Sequence, residues 1–516
     1  MKKLFFYLSI TVIVYILTFV NNLPDYDLWA RLAVGSIFFQ TGKVLKHDIF
    51  SYLPTKDLWI DHEWGSSVVF YFFARYMDAW GIFFLKALII FAIFTLILKI
   101  IKLQTNKGQN PPGVFYLTFL GFSLLPGIAN LIRCQIFTYL FFTLWIYGLE
   151  RIRRGENKLI LIFPATMLLW ANMHGGFLAG IGLIIIYAIG ELLNGKNPIK
   201  YFVILALIIP ATLINPYGFK LWNYIIEASF MPRPYIPEWH AISLNGPVHI
   251  FGKIKIHILA GFMIFASLTI ITGIKLLIKR EKYDWTRIIL VTLLLYLSVK
   301  HQRHTEFFVL AVSGLFYYQY INLYSSIRRF IKNNLTDTSY KIWCAIKYNS
   351  GYILLGAILV YSAPKLSNII IVDPLVYPVG SLEFIKQNNI SGNLATTYDW
   401  GSYTFWKLYP QCKVLIDGRY EEVYSNAVHD IAMQFSEHKG DWREILRNYH
   451  TDILLLPKKT YSSSDMLTLT DWKLVYQDAS SVVLLPKNRI NPFYIYPDYK
   501  SPVYLKEDFS RNIKLD

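Results

Sequence analysis

The chain has 516 residues, of which 54% are apolar, 17% aromatic and only 16% charged, against roughly 25% charged in a soluble domain. This composition excludes a disordered chain, a collagen-like chain and an ordinary soluble enzyme. The net charge of +17 does not mark a nucleic-acid binder: residues 369–516 carry 16 Lys/Arg and 18 Asp/Glu, so the whole excess lies in the first 368 residues, where basic loops set membrane topology.

Met1-Lys2-Lys3 precedes the apolar run Leu4–Val20, and Asn21-Asn22-Leu23-Pro24 follows it without a small-residue cleavage site. This pattern predicts an uncleaved first helix with a cytoplasmic N-terminus. Further apolar segments fall near 80–98, 114–130, 135–149, 159–171, 177–193, 201–215, 256–277, 285–299, 307–324 and 351–363. The basic clusters 99–107, 151–158, 196–200, 275–282 and 328–332 are separated by pairs of segments and can all be cytoplasmic. The predicted fold class is a polytopic α-helical membrane protein of about eleven spans, in a range of about ten to thirteen. Residues 65–76 are expected to form a juxtamembrane or half-inserted helix. Two large outer loops, 22–79 and 216–255, belong to a membrane domain covering 1–368.

Residues 369–516 read as a soluble α/β domain on the outer face. Helices are expected at Ser381–Asn388, Tyr403–Leu408, Glu421–Phe435 and Trp442–Tyr449. Strands are expected at Asn393–Thr397, Val414–Ile416 and Ile453–Leu456, with a terminal hairpin from Lys473–Tyr476 and Ser481–Leu485. Cys134, Cys344 and Cys412 are too few and too scattered for a disulfide framework or a zinc site.

Polar constellations cluster on the predicted outer side. Pro24-Asp25-Tyr26-Asp27-Leu28-Trp29-Ala30-Arg31 sets two carboxylates at a membrane surface, where they are costly without a partner. A proton-accepting role or a hard divalent cation would explain them; capping of the following helix would also do so. Trp59-Ile60-Asp61-His62-Glu63-Trp64 packs three titratable groups between two interfacial tryptophans. Arg133/Gln135, Asn172/His174 and Asn215/Tyr217 lie at outer turns, and Glu238-Trp239-His240 follows Arg233 in a proline-stiffened segment. Lys300-His301-Gln302-Arg303-His304-Thr305-Glu306 is the strongly cationic outer turn, suited to a phosphate or to a carboxylate partner. Tyr398-Asp399-Trp400-Gly401-Ser402-Tyr403 and Ile416-Asp417-Gly418-Arg419-Tyr420 each follow a strand, where α/β sheets bind ligands.

Together these residues resemble the GT-C superfamily of membrane glycosyltransferases, which use lipid-phosphate-linked sugars at outer or lumenal loops. The Asp25–Arg31 stretch looks like the acidic motif of that superfamily's first outer loop. Tyr398–Tyr403 is similar, more loosely, to the WWDYG loop of oligosaccharyltransferase catalytic subunits. The stretch Asn130–Gln135 lacks the second acidic motif of those subunits, so peptide N-glycosylation is not implied. The resemblance implies sugar transfer from a polyprenyl-phosphate donor to a lipid, glycan or protein acceptor, in the cytoplasmic membrane. Asp27, with Asp25, would deprotonate the acceptor or hold a divalent cation such as Mg or Mn. Arg133, Lys300, His301, Arg303 and His304 would take the leaving phosphate. His62, Glu63, Glu238, Tyr398, Asp399 and Trp400 would bind the acceptor. A transporter and a non-catalytic envelope scaffold are the rival classes; the first predicts ionisable groups at mid-membrane, where only Lys86 and Glu191 fall.

Overall fold

The computed structural model describes residues 2–104, 112–128, 132–233, 236–243, 245–246, 248–251, 254–279, 283–366, 369–463, 469–500 and 507–515. It forms two compact units, neither continuous in sequence.

The first unit comprises Met1–Asn21, Phe83–Gly218 and Phe230–Ser367. Its apolar runs are helical, because a backbone shielded from water must satisfy its own polar groups. In chain order the helices wholly within it are Lys2–Phe19, Val114–Ser123, Gln135–Ile152, Ile162–Met173, Phe177–Leu193, Ile199–Ala211, Ala260–Ile278, Trp285–Lys300, Thr305–Leu315, Tyr317–Asn334 and Asp337–Ser362. A short hairpin, β1 (Val248–Phe251) with β2 (Ile254–His257), precedes the Ala260 helix.

The expected count of about eleven spans needs correction. Among the described residues, three helices are long and apolar enough to cross a membrane: Trp64–Gln104, Ala260–Ile278 and Asp337–Lys365. At 1.5 Å per residue a span needs about 20 residues, and several apolar runs are interrupted first. The run from 114 stops at Ser123 before the turn through Pro126-Gly127; the run from 201 ends at Ala211, after Pro210. The 307–324 run breaks at Phe316, and residues 129–131 lie outside the described residues. Leu4–Phe19, Val114–Ser123, Phe177–Leu193 and Ile199–Ala211 are shorter apolar helices.

Residues 65–76 open the 41-residue helix Trp64–Gln104, which departs from helical backbone at Asp78 (φ 55°, ψ −147°). The kink brings Gly81 so close to the Phe73 carbonyl that a Cβ there would overlap it. Two of the cations used to predict orientation are committed within the fold. Arg153 reaches Glu150 (3.0 Å), Glu191 (2.8 Å) and Asp284 (3.0 Å), and Arg154 pairs with Glu150 (3.0 Å).

The second unit comprises Asn22–Ile82, Phe219–Ser229 and Asn368–Asp516. Its sheet has the order β4-β3-β5-β7-β6, with β3 Gly392–Ala395, β4 Cys412–Val414, β5 Ile453–Pro457, β6 Trp472–Gln477 and β7 Ser481–Pro486. β3 runs parallel to both β4 and β5, while β5/β7 and β6/β7 are antiparallel. The expected Glu421–Phe435 helix is split into Tyr420–Val423 and Asn426–Glu437 by Tyr424-Ser425, the Ser425 side chain capping the second piece.

The first outer loop is part of this unit. Val414 donates its N–H to the Phe50 carbonyl (2.8 Å), and Tyr52 returns one to the Val414 carbonyl (3.1 Å), which covers the β4 edge. Aromatic packing does the rest. Trp29 lies 4.8 Å from Tyr403 and 5.9 Å from Phe509, and Phe50 stacks on Phe405 at 4.3 Å. Each of these fully buried rings contributes on the order of 1.5–3 kcal/mol. The cut anticipated at 368/369 therefore differs from the observed grouping, in which 22–82 share a core with 368–516.

Candidate functional site

In the second unit the chain enters the helix Tyr26–Thr41 through Asp25, an extended N-cap whose Oδ1 accepts the Asp27 N–H at 2.9 Å. Pro24 blocks earlier helix, so capping falls to Asp25 and leaves Asp27 in the first turn. Asp25 is buried and Asp27 half-buried. The Asp27 carboxylate lies against Gly418, where a Cβ would collide with its Oδ1.

The helix Tyr398–Leu408 packs on Tyr26–Thr41 and brings up Tyr398, Asp399 and Trp400. Tyr398 donates its hydroxyl to the Gly418 carbonyl (3.4 Å), and Trp400 donates Nε1–H to the Val376 carbonyl (2.9 Å). Close packing and then the Asp27 charge push the Tyr398 hydroxyl well above its ordinary value. The protein around the Asp399 carboxyl, and then the Asp25 charge, raise it; packing, Asp399 and Asp25 push Tyr26 up to about 12. Asp25, Asp27, Tyr398 and Asp399 therefore share one acidic neighbourhood.

Asp61, His62 and Glu63 stand around Arg31, one turn beyond Asp27 on the same helix. Arg31 Nη1 lies 2.6 Å from Asp61 Oδ1 and 3.6 Å from Glu63 Oε2, and Nη2 lies 3.6 Å from Glu422 Oε2. His62 Nδ1 is 3.0 Å from Glu422 Oε1, and Trp59 donates its indole N–H to Glu422 Oε2 (3.0 Å). Burial raises Asp61 and Glu63 despite Arg31. Burial opposes charge on His62, yet Glu422, with Glu63 and Asp61, outweighs it and raises His62 to about 9. Burial likewise opposes ionised Glu422, but Arg31 and His62 bring it down to about 2. His62, Glu63 and Glu422 offer ligand-type atoms within 4.8 Å of one another; Arg31 already supplies positive charge there.

The two shifts set a pH window. His62 rises from 6.5 to about 9, so its contribution to stability is complete below pH 6.5 and lost as pH climbs through 9. Glu422 falls from 4.5 to about 2, so its contribution is present above pH 4.5 and lost as pH falls through 2. Thermal unfolding should show a decline in stability between pH 6.5 and 9 that His62→Gln removes. An unchanged alkaline slope in the variant would show that the His62 pair is not its source.

A second ion-pair cluster in this unit was not anticipated. Arg419 is held by Asp417 (2.7 Å) and Asp48 (2.5 Å), all three buried, with its guanidinium 4.7 Å from the Trp59 ring centre. Tyr424 donates its hydroxyl to Asp417 (2.8 Å). Arg31, Glu422 and Asp48 also had no assigned role. Arg31 could have been singled out by its i, i+4 relation to Asp27; Glu422 and Asp48 join through contacts hundreds of residues apart in sequence.

The first unit gathers the cationic outer turn. Arg133 Nη1 lies 2.9 Å from Glu238 Oε2, and Arg303 Nη1 3.7 Å from Glu238 Oε1. The Arg303 and Arg233 guanidiniums sit 4.4 and 4.5 Å from the Trp239 ring centre. His301 Nδ1 lies 2.6 Å from the Trp239 carbonyl, and the Gln302 N–H donates to the His240 carbonyl (3.1 Å). Glu238, expected to orient an acceptor, is instead the counter-ion of Arg133 and Arg303. Burial, then Arg303 and His301, lower His304 to about 4, which disfavours its cationic form. Lys300 is exposed at the end of its helix.

No family model matches the chain, and no curated protein does. Solved structures do. The archaeal oligosaccharyltransferase AglB from Archaeoglobus fulgidus, in complex with an inhibitory peptide and a dolichol-phosphate, is similar over 97% of this chain and 75% of that one, at TM-score 0.54 and 10% identity. ArnT from Cupriavidus metallidurans bound to undecaprenyl phosphate covers 94% of this chain and 97% of its own, at TM-score 0.45 and 12% identity. Apo ArnT gives TM-score 0.48 and 11% identity over the same shares. Ten per cent identity over nearly the whole chain shows a shared fold: a polytopic helical region with a mixed-sheet C-terminal segment, in the manner of the archaeal oligosaccharyltransferase.

Proposed function

We propose that this chain is a membrane glycosyltransferase of GT-C type that transfers sugar from a polyprenyl-phosphate donor to an acceptor on the outer face. The observation that carries the reading is the fold likeness to an enzyme solved with a dolichol-phosphate. The acidic neighbourhood of Asp25, Asp27, Tyr398 and Asp399 supports it chemically. In this reading the N-terminus is cytoplasmic and the C-terminal sheet is outside.

Asp27 removes the acceptor proton as the glycosidic bond forms, and the sugar leaves its phosphate. Separately, the Arg133 and Arg303 guanidiniums of the first unit would hold a phosphate by exchanging their Glu238 partner for its oxygens. Lys300 and His301 flank this anchor. Asp25 sets the Asp27 backbone, and His62, Glu63, Tyr398, Asp399 and Trp400 shape the acceptor side. Alternatively, Asp25 and Asp27 would hold a divalent cation, which would supply positive charge at the acceptor oxygen.

Right-side-out envelope vesicles that bring their own acceptors provide the test. Loaded with radiolabelled polyprenyl-phosphate-linked sugars, they should move label into a non-polyprenyl product only when the chain is present. Label that stays on the polyprenyl lipid across the common donor sugars would sink the proposal. Transfer confined to inverted vesicles would reverse the orientation.

A further inference from the structure

The second unit contains a cavity of which the transfer reading uses only Trp400. It has a volume of about 450 Å³ and is lined by Leu375, Trp400 and Pro457 together with Lys458, Lys459 and Ser480. That size falls in the range of small-ligand sites, which combine apolar walls with a few placed polar groups.

Its position follows from topology. β3 and β5 are parallel neighbours, with Leu394 opposite Ile453 and Ala395 opposite Leu454, so their carboxyl ends point the same way. The chain leaves β3 through the helix Tyr398–Leu408 and returns as β4 on one flank. It leaves β5 through Lys458–Ser463 and returns as β6 and β7 on the other flank. Connections that diverge in this manner open a crevice outside the carboxyl ends of the two strands, where α/β sheets bind ligands. Trp400 comes from the first connection, Pro457 from the end of β5, and Lys458 and Lys459 from the second connection.

The chemistry of the walls selects the ligand. Among the described residues the lining holds two ammonium groups and no carboxylate. Lys458 Nζ donates to the Asp478 carbonyl at 3.3 Å, a neutral partner that leaves its charge available to an anion. The Trp400 indole is anchored edge-on by its N–H to Val376, so the ring is a fixed wall. An aromatic ring and two ammonium groups in one lining suit a ring that is apolar on its faces and anionic at one substituent.

We propose that this crevice binds an acidic saccharide, a pyranose bearing a carboxylate or a phosphate. The site shares Trp400 with the acceptor side proposed above, but it is read by binding alone, without sugar transfer. Ligand-observed saturation-transfer NMR on the full chain in detergent, with glucuronate, glucose 1-phosphate, glucose and inorganic phosphate as probes, provides the measurement. Glucuronate and glucose 1-phosphate should bind, and glucose should bind at least about tenfold more weakly, since charge-assisted hydrogen bonds are lost. Lys458→Gln with Lys459→Gln should weaken both acidic probes by a similar factor while leaving thermal unfolding unchanged. Binding of one acidic probe and not the other names the anionic group. Failure of both at millimolar concentration, equal binding by the double variant, or inorganic phosphate binding as tightly as glucose 1-phosphate would each overturn the assignment.

Discussion

Asp27→Asn is expected to lower sugar transfer by about 10²–10⁴-fold, the usual cost of losing a general base, and to leave folding intact. The substitution keeps the size of the side chain beside Gly418 and removes only the charge. Its backbone N–H, which Asp25 Oδ1 accepts at 2.9 Å, is untouched. The measurement is single-turnover transfer from a polyprenyl-phosphate donor by wild type and variant, with thermal unfolding as control. Equal rates would remove Asp27 from the chemistry. Asp25→Ala should behave differently, because it deletes the N-cap and costs about 0.5–2 kcal/mol of stability. A variant at 27 that lost stability as the variant at 25 does would reassign Asp27 to the scaffold.

Arg419→Met should destabilise the second unit by about 3–5 kcal/mol, the penalty for leaving buried carboxylates without their cation. Asp417 and Asp48 are both about 1% exposed or less, and the guanidinium that neutralises them sits among Phe50, Trp59 and Phe405. For a unit of this size that penalty corresponds to a fall in Tm of roughly 6–20 °C. Combining it with Asp417→Asn and Asp48→Asn should recover much of the loss, since neutral amides can remain buried once hydrogen-bonded. If Arg419→Met unfolds like the wild type, Asp417 and Asp48 must be satisfied without it. If the triple variant is no better than the single one, packing of the guanidinium on the rings, rather than charge, is its main contribution.

Local signals were the legible part. The short continuous apolar runs at 453–456 and 481–485 placed two strands correctly, and Pro24-Asp25 marked the start of a helix. Apolar runs marked helices too, but not how far they extend: Pro126-Gly127 and Pro210 end helices inside continuous apolar stretches, which a hydropathy window averages over. The site divided in the same way. Asp25, Asp27, His62 and Glu63 stood out by residue type near a predicted membrane surface. Glu422 and Asp48 did not, because each finds its ionic partner in a segment remote in sequence; Arg419 lay in a stretch singled out for following a strand, not as an ion pair. Glu238 was the instructive case. A lone acid in a stiff loop suggested acceptor chemistry, and the fold instead places it between Arg133 and Arg303.

The discontinuity of the second unit has a consequence for biosynthesis. Its first segment ends at Ile82 and its last begins at Asn368, so Trp29, Phe50 and Trp59 are made long before the rings and strands that bury them. At 5–20 residues per second, the roughly 290 intervening residues take about 15–60 s to synthesise. Throughout that interval the nascent loop carries exposed aromatic surface and an uncovered strand-forming segment at 50–52, both invitations to aggregation. A ribosome stalled before the codon for Asn368 would release a chain that has lost the partners of its first loop, recognisable to quality control by those same tryptophans.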